Sequence, residues 1–276
     1  MATRQEVREL VRESLGYAPP DPVTLPVEGH VCDFPIWSYS RKRSTSTSLH
    51  IEYEDGTFFT LKAPEGVPGL SFPGYLDCLL YYGQREIFVQ ECVEISVYSI
   101  FKTLGIDPNN GRNYANFHKD MRRAFALYMQ TDRFRDPKTG QRSRVEYFHV
   151  LRRMSLAKSR KESSMFFFDD LFLASIRAGY VRRLDFDFCL HLDKHDKPLA
   201  RFLYSHILKR LGAKSMYMRK LPGFLNDIGL GYMASLPPRN RNQKVKQTLY
   251  PALDTIRGKA FAHWEVDDGG NIFFLP

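Results

Sequence analysis

The chain has 276 residues, 43% of them hydrophobic and 14% aromatic, which excludes an intrinsically disordered polypeptide and allows a substantial core. Its net charge of +9 indicates a polyanionic partner, either nucleic acid or an anionic membrane. Four scattered cysteines without a CxxC pair exclude a zinc ribbon and a disulfide framework, and no apolar run reaches the roughly 20 residues that span a bilayer. Because the N-terminus is charged and is no signal peptide, we expect a cytoplasmic protein without a membrane partner.

The first half of the chain predicts helices and hairpins in alternation. Apolar spacing of three and four residues indicates helices, whereas alternation around a turn sequence indicates a hairpin. The predicted elements are a helix over 3–15, an extended arm over 17–35, a hairpin over 48–61, helices over 70–84 and 112–128, a strand leading into a helix over 94–104, and a hairpin over 131–151.

The helix predicted over 112–128 has two opposite faces. The apolar stripe consists of Tyr114, Phe117, Met121, Phe125 and Tyr128. The polar stripe consists of Arg112, Asn116, Lys119 and Arg123. Two helices, a turn, a third helix and a hairpin match a winged helix, whose third helix enters the major groove while the wing touches phosphates.

The same order recurs near the C-terminus. Helices are predicted over 198–211, over 221–228 and from Arg239 to Ile256, and a hairpin follows over 261–275. Pro251 lies inside the third of these helices and should kink or loosen its last turns.

The third helix of this second unit carries the strongest binding signal. Its core stripe is Val245, Leu249, Leu253 and Ile256, and no acid occurs between Asp227 and Asp254. Amides can pair with adenine, and arginine or lysine can reach guanine or phosphate. The predicted base-reading surface consists of Arg239, Asn240, Arg241, Gln243, Lys244, Lys246 and Gln247.

A second basic region is predicted to bind the DNA backbone. From Arg133 to Lys161 there are ten basic residues and two acids, and a third cluster is formed by Arg41–Arg43. We expect the first wing to contribute phosphate contacts from Arg133, Arg135, Lys138, Arg142 and Arg144. The C-terminal hairpin has an acidic tip, Asp267–Asp268, which we expect to point away from DNA.

These patterns predict an α+β protein with two winged-helix domains in tandem. The predicted boundaries are an N-terminal helix and arm over 1–45, a first domain over 46–185 and a second domain over 186–276. Residues 3–15 either cap the first domain or mediate pairing into a homodimer.

Three alternatives to sequence-specific duplex binding in replication remain. A transcription regulator needs the same reading surface. An RNA binder would expose aromatic side chains on a strand face, whereas the Phe-rich strands here are predicted to be core. A metal-dependent nuclease or nickase would use acids and histidines between Asp185 and Asp196, among them His191 and His195, but this segment alternates like a strand and offers no ligand geometry.

Four segments resemble the replication initiator protein A family of bacterial plasmids and secondary replicons. They are PIWSYSRKR (35–43), IEYEDG (51–56), KPLARFLYSHILKRL (197–211) and NQKVKQTLYPALDTI (242–256). The resemblance spans most of residues 35–276. It implies two winged-helix domains that bind repeated origin sequences, open the adjacent duplex with host proteins and repress their own synthesis. Residues 197–211 then match the leading helix of the second domain, and residues 242–256 match its recognition helix.

The expected function is therefore sequence-specific binding of duplex DNA at origin repeats, without catalytic residues, metal or cofactor. The expected partners are double-stranded DNA and the host replication proteins that load or act as the helicase. The protein should accompany the plasmid or nucleoid in the cytoplasm. No phosphate-binding GxxxxGK[ST] loop is found, which argues against an ATP-driven initiator.

Overall fold

A computed structural model describes most of the chain. The described residues are 24–28, 32, 34–39, 48–83, 92–133, 144–157, 162–177, 181–195, 197–212 and 214–276. The predicted helix over 3–15 and the Arg41–Arg43 cluster lie outside these ranges. Within them the protein is α+β, and its strands form antiparallel sheets.

The helices and strands that the sequence predicts in the first half lie within a few residues of observed elements. Ser96 caps α2 by accepting a 3.1 Å hydrogen bond from the Ser99 N–H, and Gly105 ends that helix at φ 68°. The elements are β1 (Thr24–Glu28), β2 (Ser48–Glu52), β3 (Phe58–Lys62), α1 (Phe72–Gly83), β4 (Cys92–Ser96), α2 (Val97–Leu104), α3 (Gly111–Ala126), β5 (Tyr128–Thr131), β6 (Glu146–Phe148), β7 (Leu151–Ser155), β8 (Ser163–Phe168), α4 (Asp170–Arg177) and β9 (Val181–Asp185).

The second half follows the same alternation with shorter connections. Proline stands in the first turn of α6, α7 and α9, where its missing N–H costs no intrahelical hydrogen bond. The elements are α5 (Phe186–Lys194), α6 (Pro198–Leu211), β10 (Tyr217–Lys220), α7 (Leu221–Asp227), α8 (Gly231–Ala234), α9 (Pro238–Ile256), β11 (His263–Val266) and β12 (Asn271–Leu275).

Two parts of the chain repeat one arrangement. The N-terminal unit comprises α1, β4, α2, α3, β7 and β8, and its sheet has the order β4-β8-β7. The C-terminal unit comprises α6, β10, α7, α9, β11 and β12, with the short helix α8 as an addition between α7 and α9, and its sheet has the order β10-β12-β11. In both units the strand after the first helix pairs with the last strand. The two units therefore share both element order and strand order.

The hairpin assigned to the first wing lies elsewhere in the fold. Strands β5 and β6 do pair, with Met129 opposite Phe148, but they complete a four-stranded sheet of order β2-β3-β5-β6. In the N-terminal unit β7 and β8 follow α3, as β11 and β12 follow α9 in the C-terminal unit. The prediction was wrong because two hairpins follow α3, and local alternation does not reveal which sheet a hairpin joins.

Other local predictions also need correction. Residues 186–194 form α5, whereas the alternation of LDFDFCLHLD predicted a strand. Phe125, predicted to face the core from α3, is exposed, and Tyr128 belongs to β5. Helix α9 continues past Pro251, which lies five residues before its end, and a kink there stays a prediction.

One core joins the two units. Phe34 and Ile36, from the proline-rich arm, are fully buried, and the ring of Phe34 stacks on Phe59 at 4.2 Å between centroids. The indole of Trp37 donates a 3.4 Å hydrogen bond to the Pro198 carbonyl at the start of α6. The arm therefore packs between the four-stranded sheet and the C-terminal unit.

A buried ion pair crosses the same boundary. The guanidinium of Arg201 in α6 donates to both carboxylate oxygens of Asp77 in α1, at 2.7 and 2.6 Å, and both side chains are at most 3% exposed. Burial alone lowers the pKa of Arg201, but the Asp77 carboxylate outweighs it and raises that pKa well above the usual value. Burial raises the pKa of Asp77 and Arg201 lowers it, and the two hydrogen bonds between the side chains hold α1 against α6.

The remaining composition-based expectations concern cysteines and membranes. All four cysteines, Cys32, Cys78, Cys92 and Cys189, are buried and form no disulfide with one another, as the sequence predicted. Among the described residues, no helix is both long and apolar enough to cross a membrane.

Candidate nucleic-acid interface

Helix α9 is fixed in the C-terminal unit by its apolar stripe. Val245, Leu249, Leu253 and Ile256 are at most 1% exposed, as the sequence predicted. The second half of the helix is held further by Trp264 of β11, whose indole donates a 3.1 Å hydrogen bond to Asp254. The buried stripe fixes the rotation of α9 about its own axis. The side chains on the opposite face therefore point away from the core.

The first half of α9 presents its polar stripe to solvent. Arg241 is half-buried, whereas the other predicted reading residues are exposed, namely Arg239, Asn240, Gln243, Lys244, Lys246 and Gln247. No carboxylate occurs in α9 before Asp254. The N-terminus of a helix also carries partial positive charge, so cations and uncapped N–H groups coincide here.

The exposed side chains of this stripe have few contacts with the part of the chain that the structure describes. Among the described residues, no side-chain hydrogen bond or ion pair involves Lys244, Lys246 or Gln247. A solvent-facing helix usually interleaves acids with lysines at positions three and four apart, which neutralises its surface. The α9 stripe therefore keeps a full set of donors for an external acceptor.

Helix α3 occupies the corresponding place in the N-terminal unit, but its cations are partly engaged. Arg112, Asn116 and Lys119 are exposed, as predicted. Arg123 is 12% exposed, and its Nε donates a 3.1 Å hydrogen bond to the Glu65 carbonyl. Arg123 was therefore wrongly assigned to a free surface.

Arg133 also differs from its predicted role. Its side chain is 6% exposed, donates a 2.7 Å hydrogen bond to the Thr57 hydroxyl, and lies 3.8 Å from the centroid of the Tyr53 ring. An arginine buried in this way cannot reach a phosphate, so it stabilises the sheet edge instead. Arg144 is exposed. The other predicted phosphate contacts, Arg135, Lys138 and Arg142, lie outside the described residues.

Strand β7 supplies two arginines that sequence reasoning did not single out as wing contacts. Arg152 forms an ion pair with Asp170 at the start of α4, and Arg153 lies 5.0 Å from the centroid of the Phe167 ring on β8. Both arginines belong to the basic run from Arg133 to Lys161. The run covers both pairs of strands that follow α3, and local alternation does not reveal which pair joins the three-stranded sheet.

The acidic tip of the C-terminal hairpin has a local structural role. The carboxylate of Asp267 accepts hydrogen bonds from the backbone and side-chain nitrogens of Asn271, at 2.8 and 2.7 Å, and these bonds lower its pKa. Asp268 is exposed. An acid at this position closes the turn, which accounts for its presence in a hairpin of a basic protein.

The residues considered for a nuclease site have separate roles. Asp185 caps α5 by accepting a 2.9 Å hydrogen bond from the Phe188 N–H, and also pairs with Lys259 at 2.9 Å. Burial and the neighbouring Asp77 raise the pKa of Asp193 well above its ordinary value. Within the described ranges there is no group of three or more side chains that could hold a metal ion.

Comparisons with known proteins give a likeness of fold alone. A selenomethionine derivative of domain 2 and domain 3 of RctB matches with a TM-score of 0.53 and 10% identity, over 87% of this chain and 94% of that one. A second structure of RctB domains 2–3 matches with a TM-score of 0.48 and 11% identity, over 90% and 96% of the two chains. No protein-family model matches the sequence, and neither does any curated protein.

Proposed function

We propose that this protein binds duplex DNA sequence-specifically and acts in the initiation of replication. The observation that carries the proposal is the acid-free polar stripe on the first half of α9. It is held by a buried apolar stripe, exposed to solvent and unengaged by other described side chains. Lys244 and Gln247 are the central candidates for contacts with base edges, because lysine can donate to guanine and glutamine can pair with adenine.

The shared order of the two units supports winged-helix domains in tandem. In a winged helix the third helix enters the major groove and the following hairpin lies beside the DNA backbone. Helix α9 with β11 and β12, and helix α3 with β7 and β8, have that order. We assign base reading chiefly to α9. We assign backbone contacts to α3, through Arg112, Asn116 and Lys119, and to Arg144.

A role in replication rests on two independent resemblances. The fold is similar to domains of RctB, a replication initiator of a secondary chromosome. Four sequence segments resemble plasmid replication initiators. An initiator of this kind binds repeated origin sites and recruits host replication proteins such as the helicase or its loader. The proposal includes neither a catalytic residue nor a cofactor, and a homodimer is compatible with it.

A transcription regulator with the same reading surface is the second candidate. The two are distinguished by footprinting the purified protein on the DNA that flanks its own gene. A row of spaced direct repeats supports an initiator, and a single inverted repeat supports a regulator. A protein that ignores duplex DNA at low salt refutes both. Metal-dependent nicking of a supercoiled plasmid would instead favour a nuclease.

A further inference from the structure

The four-stranded sheet has an outer face that has no role in the proposed binding of duplex DNA by α9. Its inner side is core, since Phe59, Leu61 and Met129 are at most 1% exposed. Alternation along the strands places the neighbouring residues on the opposite side. This outer face consists of Ser48, His50 and Glu52 on β2, Phe58, Thr60 and Lys62 on β3, Tyr128 and Gln130 on β5, and Tyr147 on β6.

One row of side chains crosses all four strands. The register places His50 opposite Thr60, Thr60 opposite Gln130, and Gln130 opposite Tyr147. A 2.8 Å hydrogen bond joins the His50 ring to the Thr60 hydroxyl, and Gln130 Nε2 donates to the Tyr147 hydroxyl at 3.2 Å. The row is therefore an ordered strip of hydrogen-bonding groups between aromatic ends.

Aromatic rings cluster on both sides of this row. The Tyr128 ring lies 5.9 Å from the Tyr147 ring and 5.8 Å from the His149 ring, measured between centroids. On the other edge, the rings of His50 and Phe58 are stacked at 6.0 Å. Tyr147 is 58% exposed, so a planar group can reach its face. The sequence predicted that the Phe-rich strands would be core, and Phe58, on the outer face of β3, is partly exposed.

The mixture of groups on this face suits nucleobases better than an apolar protein surface. A base offers a flat face for stacking and polar edges for an amide or a hydroxyl such as Gln130 or Thr60. On this outer face the charges of the described strand residues nearly cancel, because Lys62 is positive and Glu52 is negative. Affinity here would therefore come from stacking and hydrogen bonding, within the attractive field of a protein with a net charge of +9.

We propose that the outer face of the four-stranded sheet binds a single-stranded nucleic acid by stacking its bases on Tyr147 and Tyr128. The site is separate from α9, so it is a second nucleic-acid surface on the same chain. Its ligand has unpaired bases, because stacked and paired bases in a duplex do not offer their faces. Such a surface would hold one strand of a locally opened duplex, or an RNA.

The test measures fluorescence anisotropy of labelled oligo-dT and oligo-rU of about fifteen nucleotides, a length that spans a sheet of this kind. We expect the full-length protein to bind the strand, and Tyr147→Ala or Tyr128→Ala to weaken binding about tenfold each. Tyr147→Phe keeps the ring and should bind within about twofold of the wild type. The comparison of dT with rU identifies which strand is preferred.

Tyr232→Ala is the matched control, because Tyr232 is 59% exposed but lies on α8 of the C-terminal unit. It should bind the single strand like the wild type. The proposal is overturned if the wild type does not bind either oligonucleotide, if Tyr147→Ala binds normally, or if Tyr232→Ala loses as much as Tyr147→Ala. Melting followed by circular dichroism verifies that each variant is folded.

Duplex binding measured on the same variants separates this proposal from the proposed function. Tyr147→Ala should bind duplex DNA normally, and Lys244→Ala should bind the single strand normally. Failure of duplex binding alone would refute the function assigned to α9 and leave the sheet surface in place. If Tyr147→Ala lost both duplex binding and single-strand binding, the claim that these two activities use separate surfaces would be refuted.

Discussion

Helices α3 and α9 occupy the same place in two units of the same order, yet they present their charges differently. On α9 the cations and amides of the first half face solvent without an internal partner among the described residues. On α3 the last turns are engaged by the protein itself, since Arg122 lies 3.7 Å from Glu65 and Arg123 is bonded to the Glu65 carbonyl. The sequence predicts a polar stripe with basic residues on both helices, with the stronger binding signal on α9.

The difference shows that the number of basic residues on a helix does not measure its capacity to bind DNA. A cation already bonded to a protein acceptor has exchanged part of its water for that contact, and a phosphate would have to compete with it. Asp120, buried in α3 and bonded to the Gly69 N–H at 3.0 Å, adds to this local neutralisation. We therefore expect α9 to determine sequence preference and α3 to contribute through Lys119 and its exposed neighbours.

The largest effect should come from breaking the buried ion pair between the two units. Arg201→Ala leaves the carboxylate of Asp77 buried and unpaired, and should lower the free energy of unfolding by about 3–5 kcal/mol. Urea denaturation followed by circular dichroism measures it. The control Arg152→Ala removes an exposed partner of Asp170 and should cost less than about 1 kcal/mol. Equal losses in the two variants would contradict a joining role for the buried pair.

Changes on α9 should have the next largest effect, this time on DNA binding. Lys244→Ala or Gln247→Ala should weaken binding to the specific site by about 1–3 kcal/mol and leave nonspecific binding nearly intact, because base contacts carry the specificity. Titrations of specific and random duplexes at one salt concentration measure both. Lys214→Ala removes an exposed cation outside α9 and serves as control. A uniform loss on both duplexes would mean that α9 only positions the protein.

A pair of changes on α3 sharpens the comparison further. Arg123→Ala should lower the free energy of unfolding by about 1–2 kcal/mol, since it breaks a charge-assisted hydrogen bond, but should leave DNA affinity unchanged. Lys119→Ala should do the opposite, reducing affinity on every duplex and the slope of log K against log salt by about one. Urea denaturation and salt titrations measure the two quantities. A loss of affinity in Arg123→Ala would place that side chain on DNA after all.

The smallest effect concerns the contact between the turn after α9 and the start of α5. Burial raises the pKa of Asp185, but hydrogen bonds from the Phe188 N–H and from Lys259 outweigh it and hold the pKa below 3.8. The charged form therefore stabilises the fold above the unfolded pKa, and this contribution is lost as pH falls through the folded value. Asp185→Ala should cost about 1 kcal/mol at pH 7, and the difference from wild type should begin to shrink only below about pH 4, as the carboxylate becomes protonated in the folded protein.

Stability curves against pH measure this contribution. Asp185→Asn keeps an oxygen that can cap α5 but has no charge, so it should lose less than Asp185→Ala, and it isolates the cap from the ion pair with Lys259. A pH-independent difference between wild type and Asp185→Ala would show that the carboxylate charge contributes nothing.

Local patterns in the sequence determined the elements and the rotation of the helices. The stripe of Val245, Leu249 and Leu253 fixed which face of α9 is buried, because an apolar period of 3.6 residues has only one way to enter a core. The helix over 198–211 was predicted to its last residue. The same local logic failed at residues 186–194, where two-residue alternation of phenylalanine and aspartate coincided with a short amphipathic helix.

The tertiary structure alone decided which strands share a sheet and which charges are free. Pairing of β7 with β8, burial of Arg133 against Tyr53, and the contact between Asp77 and Arg201 all join residues that the sequence pattern does not connect. The physical reason is that periodicity reports the environment of a side chain but not its partner. For a cation the partner decides whether it supports the fold or remains available to a phosphate.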